Sequence, residues 1–481
     1  MSVQEKYEAV IGLEVHAQLA TASKMFCGDS IAFGAPPNTH ISPITMGHPG
    51  TLPMTNKKAV EYAIKMGLAC GCEIEKDNYF ARKNYFYPDL PKGYQISQHT
   101  TPICKGGYVI IKTANGERNV QLNRIHMEED AGKSTHDIDD TYTCVDLNRA
   151  GTPLVEIVSE PDLFSAEEAW QYVTEIRRLV RWIGICDGNM EEGSLRCDAN
   201  VSIRLKGETR LGTKVEVKNL NSIRNVKKAI EYEIGRMIDI VEKGGRIRQQ
   251  TRSFDASNDT TFAIRDKEEA NDYRYFPDPD LAPFHLTGSF ISDIRAKLPA
   301  LPNELIGKYR SQYGMSEYDA MQLCDEKETA DFFASVIQHT DQYKPAANWI
   351  LGPVKQYLNE NNISLSEFTL QPSTLAELIK LVESGKVNFS VASSKLLPEL
   401  VKGNESPLEV AERLSLLQTS DTNELETWIG EALASMPDKV AEYQKGKKGL
   451  IGLFVGEVKK RSKGKADPKI VTQLLEERLK N

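Results

Sequence analysis

The chain has 481 residues, of which 40% are hydrophobic and 26% are charged, and its formal net charge is −9. That length exceeds what one hydrophobic core organises, so the sequence predicts two to four domains. The negative charge argues against a protein that coats nucleic acid non-specifically. No apolar run is long enough to span a bilayer, no signal peptide is recognised, and the eight cysteines fit reduced thiols. These features predict a cytoplasmic protein without a membrane partner.

The first chemical signal is a strand pattern over residues 12–19. Apolar and polar side chains alternate there, with Leu13, Val15, Ala17 and Leu19 on one face and Glu14, His16 and Gln18 on the other. A half-buried strand therefore presents a carboxylate, an imidazole and an amide in a row. Taken alone, such a pair of acid and imidazole is more typical of a surface than of a metal site.

Further acids strengthen the signal. Glu128, Glu129 and Asp130 follow His126 and Met127, and Glu156 interrupts the apolar run 153–158. Such carboxylates are unfavourable unless a cation, a partner or open water neutralises them. Oxygen ligands with one imidazole favour Mg²⁺ or Mn²⁺ over zinc.

A third polar face is predicted on the strand over residues 195–204, where Arg196, Asp198 and Asn200 alternate with apolar residues. One interpretation is a solvated sheet face. The other is a concave polar surface that holds a triphosphate with its metal, because alternating cations and acids suit that ligand. The aromatic stretches 83–89 and 272–280 leave a similar choice between base stacking and loop anchoring.

Strand patterns mixed irregularly with helical ones predict an α+β fold with an antiparallel sheet for residues 1–297. Two prolines in residues 298–302 predict a linker, and the pattern then becomes helical over 298–405 and again over 406–481. Residues 445–465 contain eight Lys or Arg against one acid. Within that run we expect a phosphate-binding patch formed by Lys459, Lys460, Arg461, Lys463 and Lys465.

Several motifs follow one another along the chain, and together they resemble the family of the aspartyl/glutamyl-tRNA amidotransferase B subunit. They are VIGLEVH at 10–16, RKNYFYPD at 82–89, GYQISQ at 93–98, HMEEDAGK at 126–133, VDLNRAGTPLVE at 145–156, EEGSLRCD at 191–198, DYRYFP at 272–277 and GKADPK at 464–469. The resemblance covers essentially the whole chain.

The resemblance implies a cradle domain related to glutamine synthetase at 1–297, a helical domain at 298–405 and a small helical tail at 406–481 that binds tRNA. It also implies ATP and Mg²⁺ as cofactors, and an amidase subunit and a small third subunit as partners in a heterotrimer. The implied reaction phosphorylates the side-chain carboxylate of Glu-tRNA(Gln) or Asp-tRNA(Asn), and ammonia from the amidase then displaces the phosphate. The sequence does not decide between the two tRNA substrates.

The same resemblance implies residue roles. His16, Glu129 and Glu156 would be Mg²⁺ ligands with Glu14 beside them, and Lys83 and Glu128 would lie near the ammonia route. We also expect, from the residues themselves and not from the resemblance, that Arg196, Asp198 and Asn200 lie on the side of the cradle domain that binds the nucleotide. Two other functions stay open: a non-catalytic tRNA-binding adaptor of the same fold, and a free-standing kinase or ligase that acts on a small amino acid.

The chain departs from the family at one loop pair. Many members hold zinc with Cys-Gly-Cys and a later Cys-Pro-x-Cys, whereas this chain has Cys27-Gly28-Asp29 and Ser42-Pro43-Ile44-Thr45. We therefore expect no zinc, and we expect packing to hold the loop instead.

Overall fold

The structure is a computed structural model that describes residues 3–136, 138–266, 273–403, 405–418, 422–462 and 465–479. The chain forms two compact units, Met1–Leu301 and Pro302–Asn481. The boundary between them falls inside the linker expected at 298–302. The further division of the second unit near residue 405 stays a prediction.

The first unit carries the strands. In chain order they are β1 (Tyr7–Gln18), β2 (Glu73–Ile74), β3 (Asp77–Asn78), β4 (Ala81–Asn84), β5 (Tyr94–Ser97), β6 (Cys104–Lys105), β7 (Tyr108–Thr113), β8 (Gly116–Glu129), β9 (Lys133–Thr135), β10 (Cys144–Asp146), β11 (Pro153–Ser159), β12 (Leu195–Leu205), β13 (Val215–Lys218), β14 (Gln250–Asp255), β15 (Thr260–Asp266), β16 (Phe276–Pro277) and β17 (Phe284–His285). The strand expected at 12–19 lies within the longer β1 except for its last residue, and the strand expected at 195–204 is confirmed as β12.

One large sheet has the strand order β15-β14-β13-β12-β1-β11-β8-β5-β4-β16, with β2, β6 and β7 joined at its side. The expectation of an antiparallel sheet is wrong for one pair, because β13 and β14 run parallel. A parallel pair needs a crossover connection, and helix α3 (Ile223–Glu242) supplies it between these two strands. The first unit is therefore α+β with a mixed sheet.

Helices cover the apolar side of this sheet. Besides α3 they are α1 (Lys57–Ala69) and α2 (Ala166–Trp182), and a fourth helix, α4 (Gly288–Ala296), packs on α1. The Ser165 side chain caps the start of α2 by accepting from the backbone N–H of Glu168. The buried face of α2 includes Tyr172 and Ile176, and α2 packs on β7 and α3. The opposite face of the sheet stays available for polar side chains.

The second unit is helical. Its helices are α5 (Pro302–Tyr313), α6 (Glu317–Leu323), α7 (Lys327–Val336), α8 (Tyr343–Trp349), α9 (Lys355–Asn361), α10 (Pro372–Glu383), α11 (Phe389–Val391), α12 (Leu397–Lys402), α13 (Pro407–Arg413), α14 (Thr422–Ala434), α15 (Pro437–Gln444), α16 (Ile451–Arg461) and α17 (Pro468–Leu479), with π-helical turns at Ile350–Val354 and Ala392–Leu396. Helix α10 begins at Pro372, and Gln371 stands at its N-cap. Leu425, Phe454 and Leu475 belong to a core built from α14–α17. Across the described residues, no helix has the length and hydrophobicity needed to cross a membrane.

Candidate active site

The strand register brings four polar residues into one row across the sheet. His126 on β8 lies opposite Glu156 on β11, Glu156 lies opposite His16 on β1, and His16 lies opposite Arg196 on β12. Side chains at directly opposed positions stand close enough to interact. Residues that are far apart in the sequence thus form one continuous polar row.

A carboxylate from β8, two positions after His126, completes what we call the first acid cluster, which consists of His16, Glu128 and Glu156. The His16 Nε2 atom lies 3.4 Å from Glu156 Oε2 and 3.6 Å from Glu128 Oε1. One ligand atom from each residue lies within 4.8 Å of the others. Two carboxylates and an imidazole at this spacing are suitable ligands for one divalent cation.

The charged groups of this cluster shift one another's pKa. Burial lowers the pKa of His16, but the carboxylates of Glu156, Glu128 and Asp198 outweigh burial and raise that pKa to about 9. Burial would likewise raise the pKa of Glu156, yet His126 and His16 hold it well below its usual value. At neutral pH an imidazolium therefore supplies the positive charge that the acids require.

The structure does not bring Glu129 to His16 and Glu156, contrary to what the resemblance implied. Side chains alternate along β8, so Glu129 points away from the face that carries His126 and Glu128. Its Oε1 atom accepts from the Ile96 backbone N–H at 2.9 Å and pairs with the Lys92 ammonium. Glu128 takes the place that was expected for Glu129.

A second acid cluster lies beside the first on the same face and consists of Glu14, Asp198 and Glu216. Their nearest carboxylate oxygens also lie within 4.8 Å of one another. Lys218 pairs with Asp198 at 2.5 Å and with Glu216 at 3.5 Å. The Asn200 amide donates to Glu14 Oε1 at 2.9 Å. Burial and the neighbouring Glu156, Asp198 and Glu216 raise the pKa of Glu14.

The three residues expected on the nucleotide side occupy two places. Arg196 and Asp198 line a cavity of about 790 Å³, a size that suits a small-molecule ligand. Asn200 lines a smaller cavity of about 230 Å³ together with Glu14. Arg196 also donates to Asp130 Oδ2 at 2.8 Å. Burial alone would raise the pKa of Asp130, but Arg196 and Arg149 lower it.

Lys83 lies near Glu128, and the ammonia route expected beside both stays a prediction. Burial lowers the pKa of Lys83, but Glu128, Tyr275, Tyr85 and Glu156 together outweigh burial and raise it above its usual value. The Lys83 ammonium also lies 4.9 Å from the ring centre of Tyr273 and 5.8 Å from that of Tyr85. The aromatic stretches 83–89 and 272–280 thus contact each other around Lys83. Asp272, at the start of the second stretch, lies outside the described residues.

The basic run of the second unit is only partly exposed. Lys459 and Lys460 are exposed at the end of α16, and Lys465 is half-buried. Arg461 is half-buried and lies 3.0 Å from Glu457 and 3.5 Å from Glu431. Lys463 lies outside the described residues.

Sequence reasoning missed several residues of this face. His126 was noted only as a neighbour of the acids, yet its Nε2 atom lies 3.2 Å from Glu156 Oε2. Glu216 belongs to the second acid cluster and Lys218 pairs with it, although neither was expected as a site residue. The alternation of β8 and β13 was the available signal, because it places His126 with Glu128 and Glu216 with Lys218.

The loop pair that departs from the zinc pattern is held by hydrogen bonds, and not by packing alone. The Thr45 hydroxyl donates to Asp29 Oδ2 at 2.5 Å, and Cys27 Sγ lies 3.4 Å from the same hydroxyl. Burial raises the pKa of Asp29, but hydrogen bonds from Thr45 and Ser42 outweigh burial and lower it. Polar side chains thus link the two loops directly.

Comparison with known proteins finds relatives over nearly the whole chain. Residues 9–292 match the family model described as the GatB/GatE catalytic domain, and residues 331–479 match the model described as the GatB domain. The aspartyl/glutamyl-tRNA(Asn/Gln) amidotransferase B subunit of Geotalea daltonii is 50% identical over 98% of this chain and 99% of its own. The proteins of the same name from Persephonella marina and Chlorobium luteolum are 48% and 49% identical over similar spans.

The first unit therefore contains a catalytic domain of the type shared by these amidotransferase subunits. The chain belongs to the family of the aspartyl/glutamyl-tRNA(Asn/Gln) amidotransferase B subunit.

Proposed function

We propose that this protein is the subunit of a tRNA-dependent amidotransferase that activates and amidates the amino acid on a mischarged tRNA. A side-chain carboxylate oxygen of Glu-tRNA(Gln) or Asp-tRNA(Asn) attacks the γ-phosphorus of ATP, and ADP leaves. Ammonia then attacks the acyl carbon, and inorganic phosphate leaves with the transferred oxygen. A partner amidase subunit supplies the ammonia, a small third subunit completes the heterotrimer, and the cytoplasm is the expected compartment.

The observation that carries this proposal is the first acid cluster. Phosphoryl transfer depends mostly on positioning and on compensation of charge. His16, Glu128 and Glu156 would hold Mg²⁺, which supplies charge compensation at the transferred phosphoryl group. The donor set fits the ion, because one imidazole and two carboxylates lie within 4.8 Å of one another. The proton that His16 carries among these carboxylates shows that the cluster binds positive charge, and the ion would replace that proton. An adaptor that only bound tRNA would have no use for such a cluster.

The remaining roles follow from position. Glu14 and the second acid cluster border the same face, where a further cation could bind. Arg196 and Asp198 line the cavity proposed for ATP, and Asn200 orients Glu14. Lys83 stands beside Glu128 on the proposed ammonia route. The exposed Lys459 and Lys460 of the helical unit suit the tRNA backbone. A fold related to glutamine synthetase for residues 1–297 is part of the proposal.

The test is reconstitution. The protein is co-expressed with its two proposed partners, and the assembled complex receives each mischarged tRNA with glutamine, with and without ATP. We expect amidated tRNA only when ATP is present, and no conversion of free glutamate. Tight tRNA binding without ATP-dependent conversion would favour the adaptor. Conversion of the free amino acid, unaffected by deletion of residues 412–481, would favour a free-standing ligase.

A further inference from the structure

The 790 Å³ cavity beside the acid clusters has two walls of different chemistry. One wall carries charged side chains of both signs, the cations being Lys133, Arg149 and Arg196 and the acids being Asp146, Glu191, Glu192 and Asp198. The other wall is the loop over residues 31–35, whose side chains are Ile, Ala, Phe and Ala around one glycine. A ligand that fills this cavity would therefore have one charged end and one flat or apolar end, as a nucleoside triphosphate has.

Phe33 is the largest side chain of the apolar wall, and 78% of its surface is exposed. Its loop is anchored by the segment that follows it. The Asn38 backbone N–H donates to Asp146 Oδ1 at 3.0 Å, and the Asn38 amide donates to the Val145 carbonyl at 2.9 Å. The Asn148 amide donates to the Pro36 carbonyl at 2.7 Å. The phenyl ring is thus presented to solvent from an anchored loop, which limits the entropy lost when a ligand covers it.

The charged wall sets the direction of the ligand. Arg196 lies opposite His16 in the strand register, so this wall leads to the first acid cluster. Triphosphate oxygens would lie at that end, near the proposed metal ligands, and the base would lie at the far end against the loop. Aromatic side chains stack well on nucleobases because every base has a π face.

We propose that Phe33 is the platform on which the adenine ring of ATP stacks. The inference rests on the proposed function, since that function is what makes ATP the ligand. It adds a residue that makes contact with the base and sets nucleotide affinity without taking part in the chemistry. Because stacking acts equally on the bound ATP and on the transition state, Phe33 would change the KM for ATP and leave kcat unchanged.

The experiment compares Phe33→Ala, Phe33→Tyr and the matched control Phe262→Ala in the assembled complex. Phe262 on β15 is 55% exposed and is not part of the cavity wall. We expect Phe33→Ala to raise the KM for ATP about tenfold, the usual loss for one aromatic–base stack, at unchanged kcat. Phe33→Tyr should keep the wild-type KM because it keeps the ring, and Phe262→Ala should have no effect.

Calorimetry of the full chain with Mg-ATP and with Mg-CTP separates this inference from the function on which it rests. We expect Phe33→Ala to weaken ATP binding more than CTP binding, because a purine presents the larger stacking face. If the wild-type complex failed to amidate tRNA but this pattern held, the proposed function would be contradicted, whereas the role of Phe33 in binding the base would be supported. An unchanged ATP affinity in Phe33→Ala would overturn the inference. So would a rise in the KM for aminoacyl-tRNA alone, which would assign the ring to the terminal adenosine of the tRNA.

Discussion

The two acid clusters lie on one face of the same sheet, but different groups neutralise them. In the first cluster the positive charge is an imidazolium at His16, whose pKa is about 9. In the second cluster it is the ammonium of Lys218, which pairs with Asp198 and Glu216. An imidazolium that loses its proton becomes a metal ligand, whereas an ammonium is not a ligand until it loses a proton at much higher pH.

This difference indicates where a divalent cation enters most readily. In the first cluster the ion replaces one proton, and His16 turns from the balancing charge into a ligand. In the second cluster the ion must compete with Lys218, which keeps its charge. We therefore expect the first cluster to bind the ion on which activity depends, and the second to bind one only after Lys218 has been removed or displaced.

The largest effect should come from Glu156→Gln. The substitution keeps the size of the side chain but removes the carboxylate that contacts both His16 and His126. We expect ATP-dependent amidation to fall about 10³-fold, the scale on which a lost electrostatic contact to a transition state acts. Turnover of the mischarged tRNA in the assembled complex measures it.

The control for this variant is Glu167→Gln, which removes an exposed carboxylate on α2 that pairs with Lys227. It should leave turnover unchanged. Binding of tRNA should be the same in both variants and in the wild type. Full activity of Glu156→Gln would contradict the assignment of the first acid cluster as the catalytic site.

Comparing Glu128→Gln with Glu129→Gln tests which of the two glutamates is a metal ligand. Glu128→Gln should raise the Mg²⁺ concentration for half-maximal rate at least about tenfold, since even the outer partners of a metal site have effects of that size. Glu129→Gln should instead lower the free energy of unfolding by about 3 kcal/mol, because it leaves Lys92 without its buried partner. Magnesium titrations and denaturant unfolding of both variants distinguish the two roles. The reverse pattern would show that Glu129, and not Glu128, is the metal ligand.

Lys218→Met tests the second acid cluster. Removing the ammonium leaves Asp198 and Glu216 facing each other, and we expect the free energy of unfolding to fall by about 2 kcal/mol, less than for a fully buried pair because Lys218 is partly exposed. Millimolar Mg²⁺ should stabilise this variant more than it stabilises the wild type. Thermal unfolding with and without Mg²⁺ measures both effects.

The matched control is Lys228→Met, which removes the lysine that pairs with the exposed Asp259. We expect little change in stability and no added response to Mg²⁺. Equal stabilisation of Lys218→Met and the wild type by the ion would mean that the second cluster does not accept a cation even when Lys218 is absent.

Much of this face could be predicted from local pattern. Alternation alone places Glu14 and His16 together on the polar side of β1, and the bounds of α2 follow from its helical period. The same rule applied to residues 126–129 puts Glu128 on the side of His126 and Glu129 on the opposite side. The resemblance to the family instead implied that Glu129 is a metal ligand, which conflicts with this alternation.

What the sequence could not supply was the register between distant strands. Alternation says which residues share a face of one strand, but not that His16 stands opposite Glu156 and Arg196. That pairing depends on long connections and on the packing of α2 and α3 against the sheet. The parallel β13–β14 pair was missed for the same reason, since its direction is set by the α3 crossover and not by either strand.

The smallest effect is expected at the contacts between the two loops that depart from the zinc pattern. These contacts are hydrogen bonds, whereas ion pairs hold the acid clusters. Thr45→Val removes the hydroxyl that donates to Asp29 and contacts Cys27, while it keeps the shape of the side chain. We expect the free energy of unfolding to fall by about 1–2 kcal/mol, because the half-buried acceptor loses a charge-assisted hydrogen bond. Thr51→Val, whose hydroxyl bonds only the His48 carbonyl among the described residues, should lose less. Denaturant unfolding of the two variants gives the difference, and equal losses would show that these loops are held by packing after all.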